Sequence, residues 1–228
     1  MLDFPSPTVV DTDDSFLELD EAARLALVKE RRLARWVSIG VVTPSRRLVD
    51  TKRRVLDEGF SLGDVGYLHL LHHLRTQNVP LRTAVEVVYH LFDRFGPPGP
   101  KWREASVHVT PEGVVGFAPD EWSATLAIPG KEGAGQKLAL EVLGTIIDPE
   151  ITLERLLIPA EFLDDIELNS RKENGFPVIR GTRLRTSTIR RLADLHGTDV
   201  VIRDYYDHIT PKNIEACRRF EEYLDKAA

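Results

Sequence analysis

Residues 20–37 read DEAARLALVKERRLARWV and contain two short apolar patterns in succession. The first predicts a helix that begins near Asp20, and the second, spaced i, i+3, i+4 from Leu33, predicts another helix over residues 29–37. A tight connection followed by an arginine-rich second helix is typical of a helix-turn-helix, whose second helix enters the DNA major groove. The residues predicted to contact DNA are Lys29, Arg31, Arg32 and Arg35. A charged helix face that is only solvated gives the same pattern.

The net charge of −6 conceals an uneven distribution of charge along the 228 residues. Residues 1–27 hold one base and seven acids, residues 28–101 hold thirteen bases and seven acids, and residues 102–228 hold sixteen bases and twenty-two acids. Binding to a nucleic-acid backbone needs a local basic face, because each phosphate is neutralised locally. The acidic total therefore does not exclude a DNA partner.

Composition narrows the class of protein. Hydrophobic residues make up 42% and charged residues 29% of the chain, as in soluble globular proteins. No apolar run approaches the roughly 18 residues of a membrane helix, and residues 1–7 lack the basic and apolar regions of a signal peptide. Cys217 is the only cysteine, so no internal disulfide can form and a cytoplasmic location is predicted. We expect Cys217 to be a small buried apolar residue.

The segment after the second helix is also basic and predicts a wing. The breaker sequence at residues 40–44 is followed by five bases that would contact the DNA backbone: Arg46, Arg47, Lys52, Arg53 and Arg54. Ser61 is a candidate N-cap for a helix to about Gln77, and Pro80 is a good start for another helix. Residues 96–100, GPPGP, mark the clearest boundary in the chain.

This order of elements resembles the MerR-like winged-helix fold over about residues 16–93. The matching segments are Ala22-Ala23-Arg24, Leu33-Ala34-Arg35-Trp36, Val41-Val42-Thr43-Pro44, Phe60-Ser61-Leu62-Gly63-Asp64-Val65 and Leu74-Arg75 with Pro80-Leu81. The chain departs from the family at Trp36, which replaces an aromatic pair, and at residues 45–58, which are longer and more basic than a typical wing. It also lacks the long C-terminal coiled coil of effector-sensing regulators. The resemblance implies DNA binding, and we expect a dimer because a helix-turn-helix contacts paired half-sites one helical turn apart.

The C-terminal region carries a second pattern at residues 175–183, GFPVIRGTR. By its residues alone this stretch predicts a turn, a short strand and a glycine turn. Three short helices are then predicted, with caps at Thr186 or Ser187, at Asp199 and at Thr210. Their basic and polar residues form a possible second surface for DNA or a partner, comprising Lys212, Asn213, Arg218 and Arg219.

The same stretch resembles the P-x-I-x-G-T-R signature of a small antitoxin-associated domain of unknown function, and the resemblance covers about residues 165–223. The signature residues are Pro177, Ile179, Gly181, Thr182 and Arg183. The family resembles a homeodomain-like trihelical fold and is assigned to antitoxins of PIN-domain ribonuclease toxins. Joined to a MerR-like module, it resembles the longer VapB-type antitoxins. For Arg183, pairing with a nearby carboxylate or carbonyl is the structural alternative to contact with the toxin.

A histidine cluster and an acidic cluster could each bind a metal, but each also has a purely structural interpretation. His69, His72 and His73, with His90 further on, share one broad helix face that could hold zinc, although no cysteine is near and the spacing is not H-E-x-x-H. A polar face or a partner-contact face is the alternative that we favour. The acids at residues 11–21 are expected to solvate the chain end or to screen the basic helix, with Asp20 as an N-cap, rather than to hold a catalytic metal.

We therefore predict a mainly α protein with a small β part, in the α+β class. The predicted organisation is a flexible tail over 1–15, a MerR-like winged helix-turn-helix over 16–95, a connector with a β-hairpin over 96–160 and a trihelical domain over 161–228. Residues 136–158 are ambiguous between strand and helix.

The predicted function is that of an antitoxin that neutralises a PIN-domain toxin and binds operator DNA, as a homodimer or a toxin–antitoxin hetero-oligomer. We predict no enzymatic activity, no cofactor, no metal and no membrane association. The alternatives are a stand-alone MerR-like regulator and a metal-dependent hydrolase. The sequence leaves open which of the two modules binds DNA.

Overall fold

Both helices predicted from residues 20–37 are present in a computed structural model of the chain. Helix α1 spans Leu19–Leu25 and helix α2 spans Glu30–Ser38. The structure describes residues 14–49, 51, 55–76, 80–96, 106–109, 114–118, 122–125 and 152–227. This part of the chain is mainly helical with small antiparallel sheets, which confirms the predicted fold class at that level.

The N-terminal unit, residues 16–95, continues with a hairpin and two long helices. Its remaining elements are β1 (Arg46–Val49), β2 (Val55–Gly59), α3 (Leu62–Thr76) and α4 (Leu81–Phe95). Strands β1 and β2 are antiparallel, with Arg46 opposite Gly59 and Arg47 opposite Glu58. Residues 97–100, part of the predicted boundary, lie outside the described residues.

The connector contains a three-stranded antiparallel sheet in the order β3-β4-β5. The strands are β3 (Ser106–Val109), β4 (Val114–Ala118) and β5 (Trp122–Thr125). Val107 pairs with Phe117, and Phe117 also pairs with Trp122. The predicted hairpin is therefore confirmed, and the alternating segment after Trp122 adds a third strand.

The C-terminal unit, residues 161–228, is preceded by helix α5 (Leu153–Leu157), so the described end of the ambiguous segment is helical. The unit then contains β6 (Ile166–Glu167), β7 (Val178–Ile179), α6 (Thr186–His196), α7 (Thr198–Val200) and α8 (Pro211–Ala227). A π-helical turn, Val201–Tyr205, continues α7. Strands β6 and β7 pair antiparallel.

Two predicted helix caps form as expected. Ser61 Oγ accepts a hydrogen bond from Asp64 N at 3.1 Å, and Asp64 Oδ2 accepts one from Ser61 N at 2.9 Å, so the two residues cap α3 reciprocally. Thr210 and Asn213 form the same arrangement at the start of α8.

Three other cap predictions are wrong. Glu18, and not Asp20, stands at the N-cap of α1, where Glu21 completes a capping box. Arg185, and not Thr186 or Ser187, stands at the N-cap of α6, and the Thr186 hydroxyl donates to Glu221. Gly197 precedes α7 in place of Asp199.

One hydrophobic cluster extends through both units. It runs from Leu17 through α1–α4 to α5, and it includes four residues of the C-terminal unit: Phe162, Ile166, Phe220 and Leu224. A smaller cluster within the C-terminal unit contains Ile179, Ile189, Ala193, Val201, Ile209, Ile214 and Cys217. Cys217 is buried as predicted, and burial raises the pKa of its thiol to about 12. The two units thus share one apolar cluster, and the C-terminal unit also has a smaller cluster of its own.

The described start of the chain is also part of this packing. Leu17 and Phe60 exchange backbone hydrogen bonds of 2.9 and 2.8 Å, so Leu17 extends the β1–β2 hairpin by one pair. Ser15 is buried, and its Oγ accepts a hydrogen bond from Leu62 N at 2.7 Å. The predicted tail therefore ends before Ser15, and residues 1–13 lie outside the described residues.

Candidate nucleic-acid interface

Helix α2 presents its basic residues to solvent because its apolar side is buried. Leu33 and Trp36 are buried in the shared cluster. The opposite side is exposed and carries Lys29, Arg31, Arg32 and Arg35. The connection from α1 is short: Leu27 adopts a left-handed conformation with φ of 58°, and Val28 N donates to Ala23 O at 2.8 Å. The predicted basic face is therefore exposed on α2, a short helix that a tight turn joins to α1.

These four cations keep their charge available. None of them forms a salt bridge with another residue of the described part of the chain. Arg32 lies close enough to His72 of α3 to lower the pKa of that imidazole. Unneutralised guanidinium groups in an exposed row concentrate positive potential, which attracts phosphate and releases counterions on binding. The surface therefore suits a polyanion.

The two described cations of the β1–β2 hairpin are less available than those of α2. Arg47 pairs across the hairpin with Glu58 at 3.3 Å, and both side chains are exposed, so water weakens the pair. Arg46 is half-buried at the start of β1. Lys52, Arg53 and Arg54 lie outside the described residues.

A buried carboxylate fixes the base of the hairpin. Asp64 Oδ2 accepts hydrogen bonds from the backbone and hydroxyl of Ser45, directly before β1, and from Ser61 N. Burial raises the pKa of Asp64, and these hydrogen bonds oppose the rise. The hairpin is thereby anchored to α3.

The hairpin also exposes apolar side chains that the sequence analysis missed. Leu48, Val55 and Leu56 are 54%, 49% and 63% exposed. The sequence contains a sign of this exposure. Val55 and Leu56 are consecutive apolar residues, whereas a half-buried strand alternates apolar and polar residues.

In the second predicted surface, on the C-terminal unit, the polar side chains contact other residues of the protein, whereas the basic residues of α2 form no salt bridge with a described residue. Lys212 pairs with Asp165 at 2.9 Å, and Asn213 is occupied in the cap of α8. Arg218 donates to Asp194, Thr198 and the carbonyl of Ala193 at 3.0–3.3 Å. Arg219 is exposed, with its guanidinium carbon 5.6 Å from the Phe162 ring centroid. All four residues therefore make intramolecular contacts, of which those of Asn213 and Arg218 are hydrogen bonds and that of Arg219 is a cation–π contact.

The signature residues build a structural turn. Pro177 and Ile179 are buried, Gly181 has a φ of 80°, and the Thr182 hydroxyl donates to Ile179 O at 2.9 Å and accepts from Leu184 N at 3.0 Å. Arg183 is exposed and forms no salt bridge with a described residue.

Arg180, which the sequence analysis did not select, supplies the long-range contacts of this turn. It donates to Leu163 O at 2.7 Å, to Ile166 O at 2.9 Å and to Glu154 at 2.8 Å. These bonds join the turn to β6 and α5.

His69, His72 and His73 lie on α3, and His90 lies on α4. Burial and the neighbouring His73 and His72 lower the pKa of His69 to about 4. Burial, Arg32 and His73 lower the pKa of His72. Among the described residues no group of histidine, cysteine or carboxylate side chains is arranged to hold a metal ion. The side chain of His90 lies outside the described residues, as do Asp11 and Asp13.

We expect the depressed pKa of His69 to make folding stability depend on pH. In the unfolded chain the imidazole takes up a proton near pH 6.5, whereas in the folded chain it stays neutral down to about pH 4. As the pH falls through this window, the free energy of unfolding should decrease by up to roughly 3 kcal/mol through this group. His69→Gln should flatten that part of the profile in urea denaturation at pH 4–6.5. Equal slopes for the two proteins would contradict the assignment.

The acids around α1 cap that helix, and its arginine, Arg24, joins a long-range network. Glu18 and Glu21 form the capping box of α1. Arg24 of α1 bonds to two carboxylates of α8, to Glu221 at 2.7 Å and to Asp225 at 2.6 Å. Arg190 of α6 also bonds to Asp225, at 2.6 Å. This network joins the two units at their seam.

The central carboxylate of the network was missed by the sequence analysis. Glu221 is only 2% exposed. It follows Cys217 by four residues and precedes Leu224 by three, so it lies on the apolar stripe of α8. A charged residue on such a stripe indicates a buried ion pair, although its partner cannot be read from the pattern.

The described residues are mainly helical, and the exposed cations of α2 form no salt bridge with any of them. In the described residues no helix is long and apolar enough to span a membrane. A model of the family described as protein of unknown function (DUF433) matches residues 166–220, from β6 into α8. No curated protein matches the chain, and no solved structure does.

Proposed function

We propose that this protein binds DNA through a MerR-like winged helix-turn-helix formed by α1, α2 and the β1–β2 hairpin. The observation that carries the proposal is the exposed row of Lys29, Arg31, Arg32 and Arg35, which forms no salt bridge with the described residues. Helix α2 would lie in the major groove, and the hairpin would contact the backbone. Two copies are needed to contact paired half-sites one helical turn apart, so we propose a dimer on DNA.

We further propose that the protein is an antitoxin of the VapB type, acting in the cytoplasm on a PIN-domain ribonuclease toxin. This part rests on the resemblance of residues 165–223 to an antitoxin-associated domain with a homeodomain-like trihelical fold. The C-terminal unit would bind the toxin rather than DNA, because Lys212 and Arg218 are occupied by internal contacts. DNA binding by the N-terminal unit would repress the shared operon.

Coexpression with a PIN-domain protein encoded beside this chain tests the antitoxin assignment. We expect one complex in size-exclusion chromatography and loss of ribonuclease activity on complex formation. The Arg32→Ala, Arg35→Ala double variant should form the same complex, because its substitutions leave the C-terminal unit unchanged. If the wild-type protein binds its operator and no complex elutes, the protein is a stand-alone regulator and the antitoxin assignment is wrong.

A further inference from the structure

A cavity of about 250 Å³ lies at the seam between the two units. It is bounded by α1, by residues 176–177, by the start of α6 and by α8. Apolar walls come from Leu25, Phe176 and Leu224. The DNA-binding proposal makes no use of this cavity.

The floor of the cavity offers no available charge. One carboxylate oxygen of Glu221 accepts from the Thr186 hydroxyl and the other pairs with Arg24 at 2.7 Å. Arg24 is itself held by Asp225. The floor is therefore a satisfied ion pair that a ligand would not need to disrupt.

The rim, in contrast, carries two carboxylates of α1. Asp20 and Glu21 form no salt bridge with a described residue. The Glu21 side chain receives one long hydrogen bond, 3.4 Å from Glu18 N, and its partial burial raises the pKa of the carboxyl. Arg185, the cation that lowers this pKa, is bonded to Glu173 at 3.0 Å, and its guanidinium carbon lies 3.9 Å from the Phe176 ring centroid, so one face of that ring is already covered. A cation at the rim would gain two carboxylate partners.

The size of the cavity restricts what can enter. Sites for drug-sized molecules and cofactors enclose about 300–1,000 Å³, so a cavity of about 250 Å³ suits one long side chain. Arginine and lysine combine an aliphatic stem with a cationic head, which matches apolar walls beneath an acidic rim. A planar guanidinium can also bond to a carboxylate through two donors.

We infer that this cavity receives an arginine or lysine side chain of a partner protein. The stem would pack on Leu25, Phe176 and Leu224, and the head would bond to Glu21 and Asp20. Because α1 belongs to one unit and α6 and α8 to the other, the inserted side chain contacts both. The inference does not depend on DNA binding by α2 or on the nature of the toxin.

Titration with short peptides tests this inference on the full chain. The probe is acetyl-Gly-Gly-Arg-Gly-Gly-amide, and its matched control carries glutamine in place of arginine. In heteronuclear NMR spectra we expect saturable shifts of the backbone amides around Glu21 and Ser187, with a dissociation constant of about 1–10 mM. The glutamine peptide should cause none. Absence of saturable shifts, or equal binding of the two peptides, would overturn the inference.

A charge-removing variant locates the site. Glu21→Gln should weaken binding of the arginine peptide at least about fivefold. The fold should survive, since glutamine also serves at this position of a capping box. Glu222→Gln, on the exposed side of α8, is the matched control and should leave binding unchanged. Equal affinity in the Glu21→Gln protein would overturn the assignment of Glu21.

Free arginine amide distinguishes a protein partner from a small metabolite. A partner segment adds contacts beside the inserted side chain, so the peptide should bind more tightly than the free amide. If the free amide binds as tightly as the peptide, the occupant is a small amine and the partner-protein inference is wrong. None of these measurements requires DNA or a toxin, so their failure is separate from a failure of the proposed function.

Discussion

Replacing Arg32 and Arg35 together with alanine is expected to lower the affinity for operator DNA by about 100-fold at physiological salt. Both side chains are exposed on α2, and neither is neutralised by a described residue. Each lost phosphate contact should also reduce the slope of log affinity against log salt by about one. Fluorescence anisotropy at several salt concentrations measures both effects. Alanine favours helix, so α2 itself should persist.

The matched control removes the same charge from the C-terminal unit, at one residue of the second candidate surface and one outside it. Arg171→Ala, Arg219→Ala changes two exposed arginines of the C-terminal unit. This variant should bind DNA with wild-type affinity. If it loses affinity while the α2 variant retains it, the C-terminal unit contacts DNA and our assignment of the interface is wrong.

Glu221→Ala is expected to lower the free energy of unfolding by about 3–5 kcal/mol, the largest stability effect that we predict. The carboxylate is 2% exposed and accepts from both Thr186 and Arg24. Its removal leaves the Thr186 hydroxyl and part of the Arg24 guanidinium buried without that partner. Urea denaturation monitored by circular dichroism measures the change.

The adjacent glutamate provides the control for this prediction. Glu222 is exposed and pairs with Lys226 at 3.3 Å one helical turn away. Because such surface pairs contribute about 0.3–0.5 kcal/mol, Glu222→Ala should be nearly neutral. A loss below about 1 kcal/mol in Glu221→Ala would mean that the ion pair is not needed for the seam. Replacing Arg24 and Glu221 together by leucine should recover part of the loss, since no charge is then left unpaired.

The local parts of this fold could be predicted from short patterns. The spacing of Leu33 and Trp36 predicts which side of α2 is buried, and the remaining side must then carry its arginines. Ser61 followed by Asp64 predicts the start of α3 in the same way. In both cases the decisive interactions join residues within one helical turn.

The long-range parts could not be predicted. Arg24 and Glu221 are 197 residues apart, and no local pattern pairs them. Lys212 counts as a free cation in the sequence, yet it pairs with Asp165 at 2.9 Å in the structure, although the lysine is exposed and water weakens the pair. Charge can be counted along a chain, but its neutralisation depends on packing between distant segments. The same argument explains why Thr186 bonds to Glu221 and does not cap α6.

The hydrophobic cluster that both units share has a thermodynamic consequence. Phe220 and Leu224 of α8 belong to the same cluster as Leu33 and Trp36 of α2, so detachment of α8 removes apolar cover from the N-terminal unit. A molecule that binds one unit only while the two units are packed together must then also raise the melting temperature of the other unit. This coupling is reciprocal. If a ligand of the C-terminal unit and a ligand of α2 both require the packed seam, each would increase the affinity of the protein for the other.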